Sequence, residues 1–251
     1  MSGRFFVHTF GCQMNVHDSD RMQDVLVAHG WRAAPSVAAA DLMIFNTCSV
    51  RETAENKLRI EVDKLRPVKR ARPSLLIAVA GCVAQQEGER LLKEMPAIDL
   101  VIGPDNIPEL PALLSDQLAG SPPLARTSFD VEAPHFLAAA PRPGQAPISA
   151  YVTTMKGCDE RCSFCVVPYT RGPERYRPAD DIVAEVQRWV AAGAREILLL
   201  GQTVDSYRDP ALPPRSAMTP TRASSPSCCA VWPPRSRAFR ACATPAPIPA
   251  T

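Results

Sequence analysis

Cys158, Cys162 and Cys165 lie in the run Lys156-Gly157-Cys158-Asp159-Glu160-Arg161-Cys162-Ser163-Phe164-Cys165, with the spacing CxxxCxxC. Three thiolates on one short loop can hold three irons of a 4Fe-4S cluster, whereas a structural cluster or a tetrahedral zinc needs a fourth protein ligand to close its shell. No fourth cysteine is close in sequence. An iron without a protein ligand is an open coordination site, where a substrate or cosubstrate can be ligated and given an electron. The competing readings are a zinc knuckle or three buried thiols. Residues 148–155, just before the loop, read as a buried strand, which puts the cysteines at a strand's C-terminal end, where α/β barrels carry their active sites.

Three more cysteines recur in a fixed context. Residues 4–10 read as a strand that ends in Gly11-Cys12, followed by a helix over 15–29 with Asn15 or Asp18 as candidate caps. A strand over 41–46 ends in Thr47-Cys48 before a charged helix over 52–64, and a strand over 75–80 ends in Gly81-Cys82 before a helix over 84–95. In a parallel α/β sheet the C-terminal strand ends share one edge, so Cys12, Cys48 and Cys82 are expected to meet there. Any one of them alone is more simply a buried thiol. The repeated placement predicts a shared metal site with three ligands, again leaving one iron open.

A fourth strand over 98–102 and a helix over 107–118 complete this part. The proline-rich stretch 120–146 reads as a linker, with an extended strand near Phe129. Beyond the cluster loop, Pro178 suits the start and Gly193 the end of an amphipathic helix, and 196–200 reads as the next strand, so that the opening βαβ of a barrel is expected, with right-handed crossover. Residues 210–251 then hold ten Pro, nine Ala and five Arg, with no Gly, Lys, Asp or Glu. No periodicity survives there. Two readings are open, a natural disordered tail or a reading-frame shift near Asp209; the second is favoured because the barrel stops after two strands. On it Cys228, Cys229 and Cys242 have no role.

The totals set limits. A chain of 251 residues with 46% apolar side chains has room for one large or two medium domains with a sizeable core. No run of eighteen apolar residues and no signal-peptide core is present, so a cytoplasmic protein with no membrane contact is expected. Nine cysteines in a reducing compartment point to metal or catalysis rather than disulfides. The formal charge of +2 conceals a body, residues 1–209, with 23 basic against 26 acidic groups. That excludes a basic nucleic-acid clamp.

The stretches Thr9-Phe10-Gly11-Cys12-Gln13-Met14-Asn15, Asn46-Thr47-Cys48-Ser49-Val50-Arg51-Glu52, Gly81-Cys82-Val83-Ala84-Gln85 and Lys156-Gly157-Cys158 through Cys165-Val166-Val167-Pro168-Tyr169-Thr170-Arg171-Gly172 together resemble the tRNA methylthiotransferases of the radical S-adenosylmethionine superfamily. The resemblance runs from residue 4 to about 208. It implies an α/β protein with an N-terminal parallel-sheet cluster domain (3–119), a linker (120–146) and the incomplete start of a radical S-adenosylmethionine core, a partial (β/α) barrel (147–208); residues 209–251 fall beyond it and are expected as a disordered tail, natural or out of frame. The resemblance implies two 4Fe-4S clusters, one on Cys12, Cys48 and Cys82 that carries or donates the sulfur, and one on Cys158, Cys162 and Cys165 that binds S-adenosylmethionine. Phe164 is then placed beside the adenine. The branch implied is the one that converts N6-isopentenyladenosine next to the anticodon into its 2-methylthio derivative, with the tRNA anticodon loop, an electron donor and a sulfur source as partners of a monomer. Alternatives are a methylthiotransferase for a protein side chain and a non-enzymatic iron-sulfur fragment. Gln202-Thr203-Val204-Asp205 departs from the family's Gln-Asn-Val-Asn, and the missing barrel strands make this chain itself an expected weak binder of S-adenosylmethionine without turnover.

Overall fold

The computed structural model describes residues 3–50, 52–132, 134–138 and 148–212, in two compact units. The tail expected from 209 onward lies, from 213, outside the described residues, as do Cys228, Cys229 and Cys242.

The first unit comprises residues 1–137 and 159–173. Its chain order is β1 (Arg4–Phe10), α1 (Gln13–Ala28), β2 (Arg32–Ala33), β3 (Leu42–Thr47), α2 (Glu52–Ala71), β4 (Leu76–Gly81), α3 (Cys82–Glu87), α4 (Glu89–Glu94), β5 (Leu100–Ile102), α5 (Leu110–Leu118) and β6 (Leu124–Arg126). The strands form one sheet in the order β2-β1-β3-β4-β5-β6, and every pairing is parallel. β3 and β4 read LMIFNT and LIAVAG and are buried along their whole length, as strands covered by helices on both faces must be. Alternation divides them between two cores. Leu42, Ile44, Leu76 and Ala78 meet Met22 and Leu26 of α1 and Leu110 and Leu114 of α5, while Met43, Phe45, Ile77 and Val79 meet Leu58 and Val62 of α2 and Val83 of α3.

Several boundaries differ from the sequence expectation for local reasons. α1 begins at Gln13 with Cys12 as its N-cap residue, so neither Asn15 nor Asp18 stands at the N-cap itself, but Asn15 accepts from Cys12 N and so completes a capping box. α2 runs seven residues past 64, through Pro67, and its end is anchored where Lys69 Nζ meets Asp99 Oδ2 at 2.7 Å and Leu75 O at 2.6 Å. The helix expected over 84–95 starts at Cys82 and breaks at Gly88 into α3 and α4. Within the stretch expected as linker, β6 pairs with β5 as the sheet's last strand, and the extended segment therefore lies at 124–126 rather than at Phe129.

The second unit comprises, among the described residues, 138, 148–158 and 174–212. β7 (Ser149–Thr153) and β10 (Glu196–Leu200) pair in parallel, joined through α7 (Ala179–Ala191), and β8 (Met155–Lys156) pairs antiparallel with β9 (Arg175–Tyr176). Ile182, Val186 and Trp189 of α7 pack onto Ala150, Val152 and Ile197. The expected opening βαβ is thus present. Arg177 and Glu185 form a buried ion pair, and Tyr207 Oη donates to Arg177 O at 2.7 Å, which seals the end of this layer. The first unit also contains α6 (Val167–Arg171), from the segment after the cluster loop.

Candidate metal centre

Register brings the first three cysteines to one edge. Phe10 of β1 is the partner of Thr47 of β3, and Thr47 is the partner of Gly81 of β4. Cys48 and Cys82 each follow that row by one residue and Cys12 by two. Moreover, the chain runs from β1 outward to β2 and then returns to β3 on the other side of β1, so the reversal of strand order falls between β1 and β3, where open α/β sheets form their ligand crevices. Cys12 and Cys48 flank that reversal.

A buried amide lattice fixes the edge. Asn15, the third residue of α1, accepts from Cys12 N at 3.3 Å and from Cys12 Sγ at 3.3 Å, and its Nδ2 donates to Asn46 Oδ1 and Thr47 O, both at 3.1 Å. Asn46 Nδ2 donates in turn to Asn15 O at 2.7 Å and Ser19 Oγ at 2.9 Å. Both asparagines are fully buried, so each bond stands where an unpaired amide would be costly. Gly81 makes the approach of β4 possible. Its φ is +91°, and a Cβ there would stand 2.3 Å from Asn46 Oδ1 and 2.5 Å from Thr47 O.

The three sulfurs sit in unequal settings. Cys12 is half-buried and Cys48 and Cys82 are buried, all as free thiols. A hydrogen bond from Cys48 takes the Cys12 thiol down to about 5 against the opposing effect of burial, and that bond together with burial pushes Cys48 up. Cys48 Sγ accepts from Val50 N at 3.4 Å. Cys82 Sγ accepts from Arg171 Nε at 3.3 Å, and Arg171 forms an ion pair of 2.7 Å with Asp18 on α1. Burial by itself would push the Asp18 carboxyl up, but the guanidinium beside it outweighs that and holds it at about 2. Burial likewise opposes the charge of Arg171, and Asp18 and Cys82 overcome it and raise its pKa.

Cys158, Cys162 and Cys165 are distributed differently. Cys158 is buried in the second unit, with its Sγ 3.0 Å from Thr203 Oγ1, while Gly157 N donates to Gln202 Oε1 at 2.6 Å. The departure at Thr203 therefore adjoins a candidate ligand. Cys162 is exposed and Cys165 half-buried in the first unit, linked by a turn in which Cys165 N donates to Cys162 O at 3.0 Å. Phe164 is 82% exposed. Among the described residues no three His, Cys, Asp or Glu side chains are drawn together to metal-ligand spacing.

The donor chemistry nevertheless fits iron-sulfur binding. Each set is all thiol, with no carboxylate or imidazole donor, and soft thiolates suit Fe–S centres. The sequence reading left Arg171, Asn46 and Thr203 without roles. Arg171 lies in the quoted Tyr-Thr-Arg-Gly stretch, yet nothing in its spacing points to Cys82, which is 89 residues away.

Comparison with known proteins bears on the same segments. The family described as "Uncharacterized protein family UPF0004" matches residues 4–103, and the radical SAM superfamily matches residues 152–212. A tRNA-2-methylthio-N(6)-dimethylallyladenosine synthase of Sorangium cellulosum is 63% identical over 214 residues, covering 82% of this chain and 43% of the relative. A synthase of the same name from Anaeromyxobacter sp. is 49% identical over 205 residues, covering 81% and 44%. The chain thus spans less than half the length of these relatives. The structure of the radical S-adenosylmethionine methyltransferase TsrM from Kitasatospora setae is similar in fold, with a TM-score of 0.52 and 15% identity over 81% of this chain and 48% of that one. A 4Fe-4S cluster and S-adenosylmethionine are the cofactors that the superfamily implies. Residues 4–103 and 152–212 thus match the UPF0004 family and the radical SAM superfamily, the two segments that this chain shares with the methylthiotransferases it is similar to.

Proposed function

We propose that this chain carries the two cysteine centres of a methylthiotransferase that converts N6-isopentenyladenosine beside the tRNA anticodon into its 2-methylthio derivative. The observation that carries the reading is the aligned row of strand-terminal cysteines, Cys12, Cys48 and Cys82, in a chain that also has a CxxxCxxC loop at a strand end. Cys158, Cys162 and Cys165 would hold one 4Fe-4S cluster, and Cys12, Cys48 and Cys82 a second that would carry or donate the sulfur. Held by Cys158, Cys162 and Cys165, the first cluster would supply the electron for radical chemistry with S-adenosylmethionine at a ring carbon that no side-chain base could deprotonate.

The protein's own groups hold and shield. Three cysteines per centre leave one iron coordination position for an outside ligand. Thr203 Oγ1 and Cys158 Sγ share a hydrogen bond, and the Gln202 carboxamide anchors the backbone one residue earlier, which steadies the loop's first ligand. Phe164 is exposed and available to cover a bound adenine. Unstacked bases of an RNA loop suit such a site because they can be splayed into a pocket. The names of the relatives support the tRNA substrate.

Two measurements test the reading. Anaerobic reconstitution with iron and sulfide should load about eight irons per chain, and replacing Cys158, Cys162 and Cys165 together by Ala should halve that. A count near four in the unaltered protein would reduce the site to one centre. A chimera in which residues 4–208 replace the matching part of the S. cellulosum relative should then methylthiolate isopentenylated tRNA, read by mass spectrometry of the nucleosides. A chimera that loads both clusters and leaves tRNA unchanged would move the substrate to another class, a protein side chain included.

A further inference from the structure

The function above assigns no task to the most completely buried charge near the sheet-edge cysteines. Arg171 is 5% exposed, Asp18 7% and Cys82 6%. A guanidinium taken out of water to this degree persists only where an opposite charge and acceptors receive it. Here Asp18 Oδ2 stands 2.7 Å from Arg171 Nη2, and Nε, on the inner side of the fork, donates to Cys82 Sγ at 3.3 Å. The partners come from three places in the chain. Asp18 is on α1, the helix that Cys12 caps; Cys82 is the first residue of α3; and Arg171 ends α6, which packs on α3. Thr170, next to it, is also buried and turns its Oγ1 to Val166 O at 3.2 Å, so α6 presents Arg171 inward while Tyr169 is 75% exposed.

We propose that Arg171, held by Asp18, is a positioning residue for the centre built on Cys12, Cys48 and Cys82: it fixes the Cys82 sulfur and keeps a permanent positive charge against it, which raises the reduction potential of the cluster bound there. This rests on the two-centre reading above. Arginine suits the task because it stays charged at any accessible pH and its planar fork can serve a carboxylate and a sulfur at once. Hydrogen bonds and charges at ligand sulfurs are among the means by which proteins set the potential of iron-sulfur clusters, and a cation in contact favours the more negative, reduced form. Because α6 follows Cys165 by two residues, the same arm ties the segment after the cluster loop to the edge of the sheet.

The test uses the full chain with Cys158, Cys162 and Cys165 changed to Ala, so that only the sheet-edge centre is loaded. The couple measured is the one-electron reduction of that cluster, with dithionite as the electron donor and no bond made or broken, followed by electron paramagnetic resonance as the poised potential is lowered. R171K keeps a charge and loses the fork; the D18N/R171Q double variant removes both charges of the Asp18–Arg171 pair together. The expected result is a lower potential in R171K and a still lower one in the double variant, with iron content retained in R171K. Loss of iron from a double variant whose near-ultraviolet circular dichroism stays native also supports the positioning role. If the double variant does not fold, R171K decides by itself, and a potential equal to the parent's overturns the inference. Full iron loading with equal potentials in all three overturns it as well, leaving the two-centre reading intact. A parent that loads no iron overturns that reading and this inference together.

Discussion

The two sets of cysteines are built in opposite ways. Cys158, Cys162 and Cys165 fall within eight consecutive residues, so chain connectivity keeps them near one another however the flanking structure is arranged, and two of them are at least partly open to solvent. Cys12, Cys48 and Cys82 are spread over 71 residues and reach the same sheet edge only because β1, β3 and β4 lie side by side in one register, clamped by Asn15 and Asn46. A one-residue slip of β3 would turn its side chains to the opposite face and carry Cys48 away from its neighbours. A loop ligand set tolerates local disorder, whereas a sheet-edge set inherits the stability of the sheet. Substitutions near the second set should therefore damage folding and iron binding together, and those near the first should separate the two.

The sharpest break in this contrast is Gly81→Ala. The new Cβ would collide with Asn46 Oδ1 and Thr47 O at a positive φ, and a loss of at least about 3 kcal/mol in urea unfolding is expected, together with half of the reconstituted iron. Gly157→Ala, at φ +79° before the first loop ligand, should cost only about 1–2 kcal/mol. Equal losses for the two glycines would dissolve the distinction.

Asn46→Ala removes the donor to Asn15 O and Ser19 Oγ and leaves the Asn15 Nδ2 short of an acceptor, so about 2–3 kcal/mol should be lost. Iron should fall by half again, from the sheet edge alone, which elemental analysis of the variant with and without the three loop cysteines would show.

Acid should weaken the same region first. The Asp18 carboxyl sits at about 2 in the folded protein against 3.8 for an ordinary aspartate, so the unfolded chain binds the proton more readily. Its contribution, on the order of 2 kcal/mol, is whole above pH 4 and is lost as the pH falls from 3.8 toward 2. Unfolding free energies measured across that window should show this loss, and Asp18→Asn should flatten the profile. A parallel profile in the variant would count against the Arg171 pair as its source. The smallest effect is expected at Phe164→Ala. With 82% of the residue exposed, stability should stay within about 0.5 kcal/mol, while S-adenosylmethionine binding by the reconstituted protein, read by equilibrium dialysis, should weaken.

Much of this was legible in the order of residues. The apolar runs of β1, β3 and β4, each closed by a cysteine, and the CxxxCxxC loop are local patterns, and local patterns are what periodicity and ligand spacing record. The parallel sheet followed from strand alternating with helix. Ends of elements were less legible, because they depend on contacts made elsewhere: α2 continues through Pro67 where Lys69 finds Asp99, and β6 emerges from a proline-rich stretch because β5 offers it an open edge. The fine structure of the centre belongs to tertiary packing alone. Asn15, a candidate cap in the sequence, completes the capping box of α1 and is also one half of an amide pair with Asn46, 31 residues away, and Arg171 reaches Cys82 across 89 residues. Side-chain bonds over such separations leave no period in the sequence, since each partner is chosen by the folded geometry and not by its neighbours in the chain. The residue types thus determined which atoms could bind iron, and the sheet's register and the buried Arg171–Asp18 pair decided where the sheet-edge sulfurs stand and what charge they face.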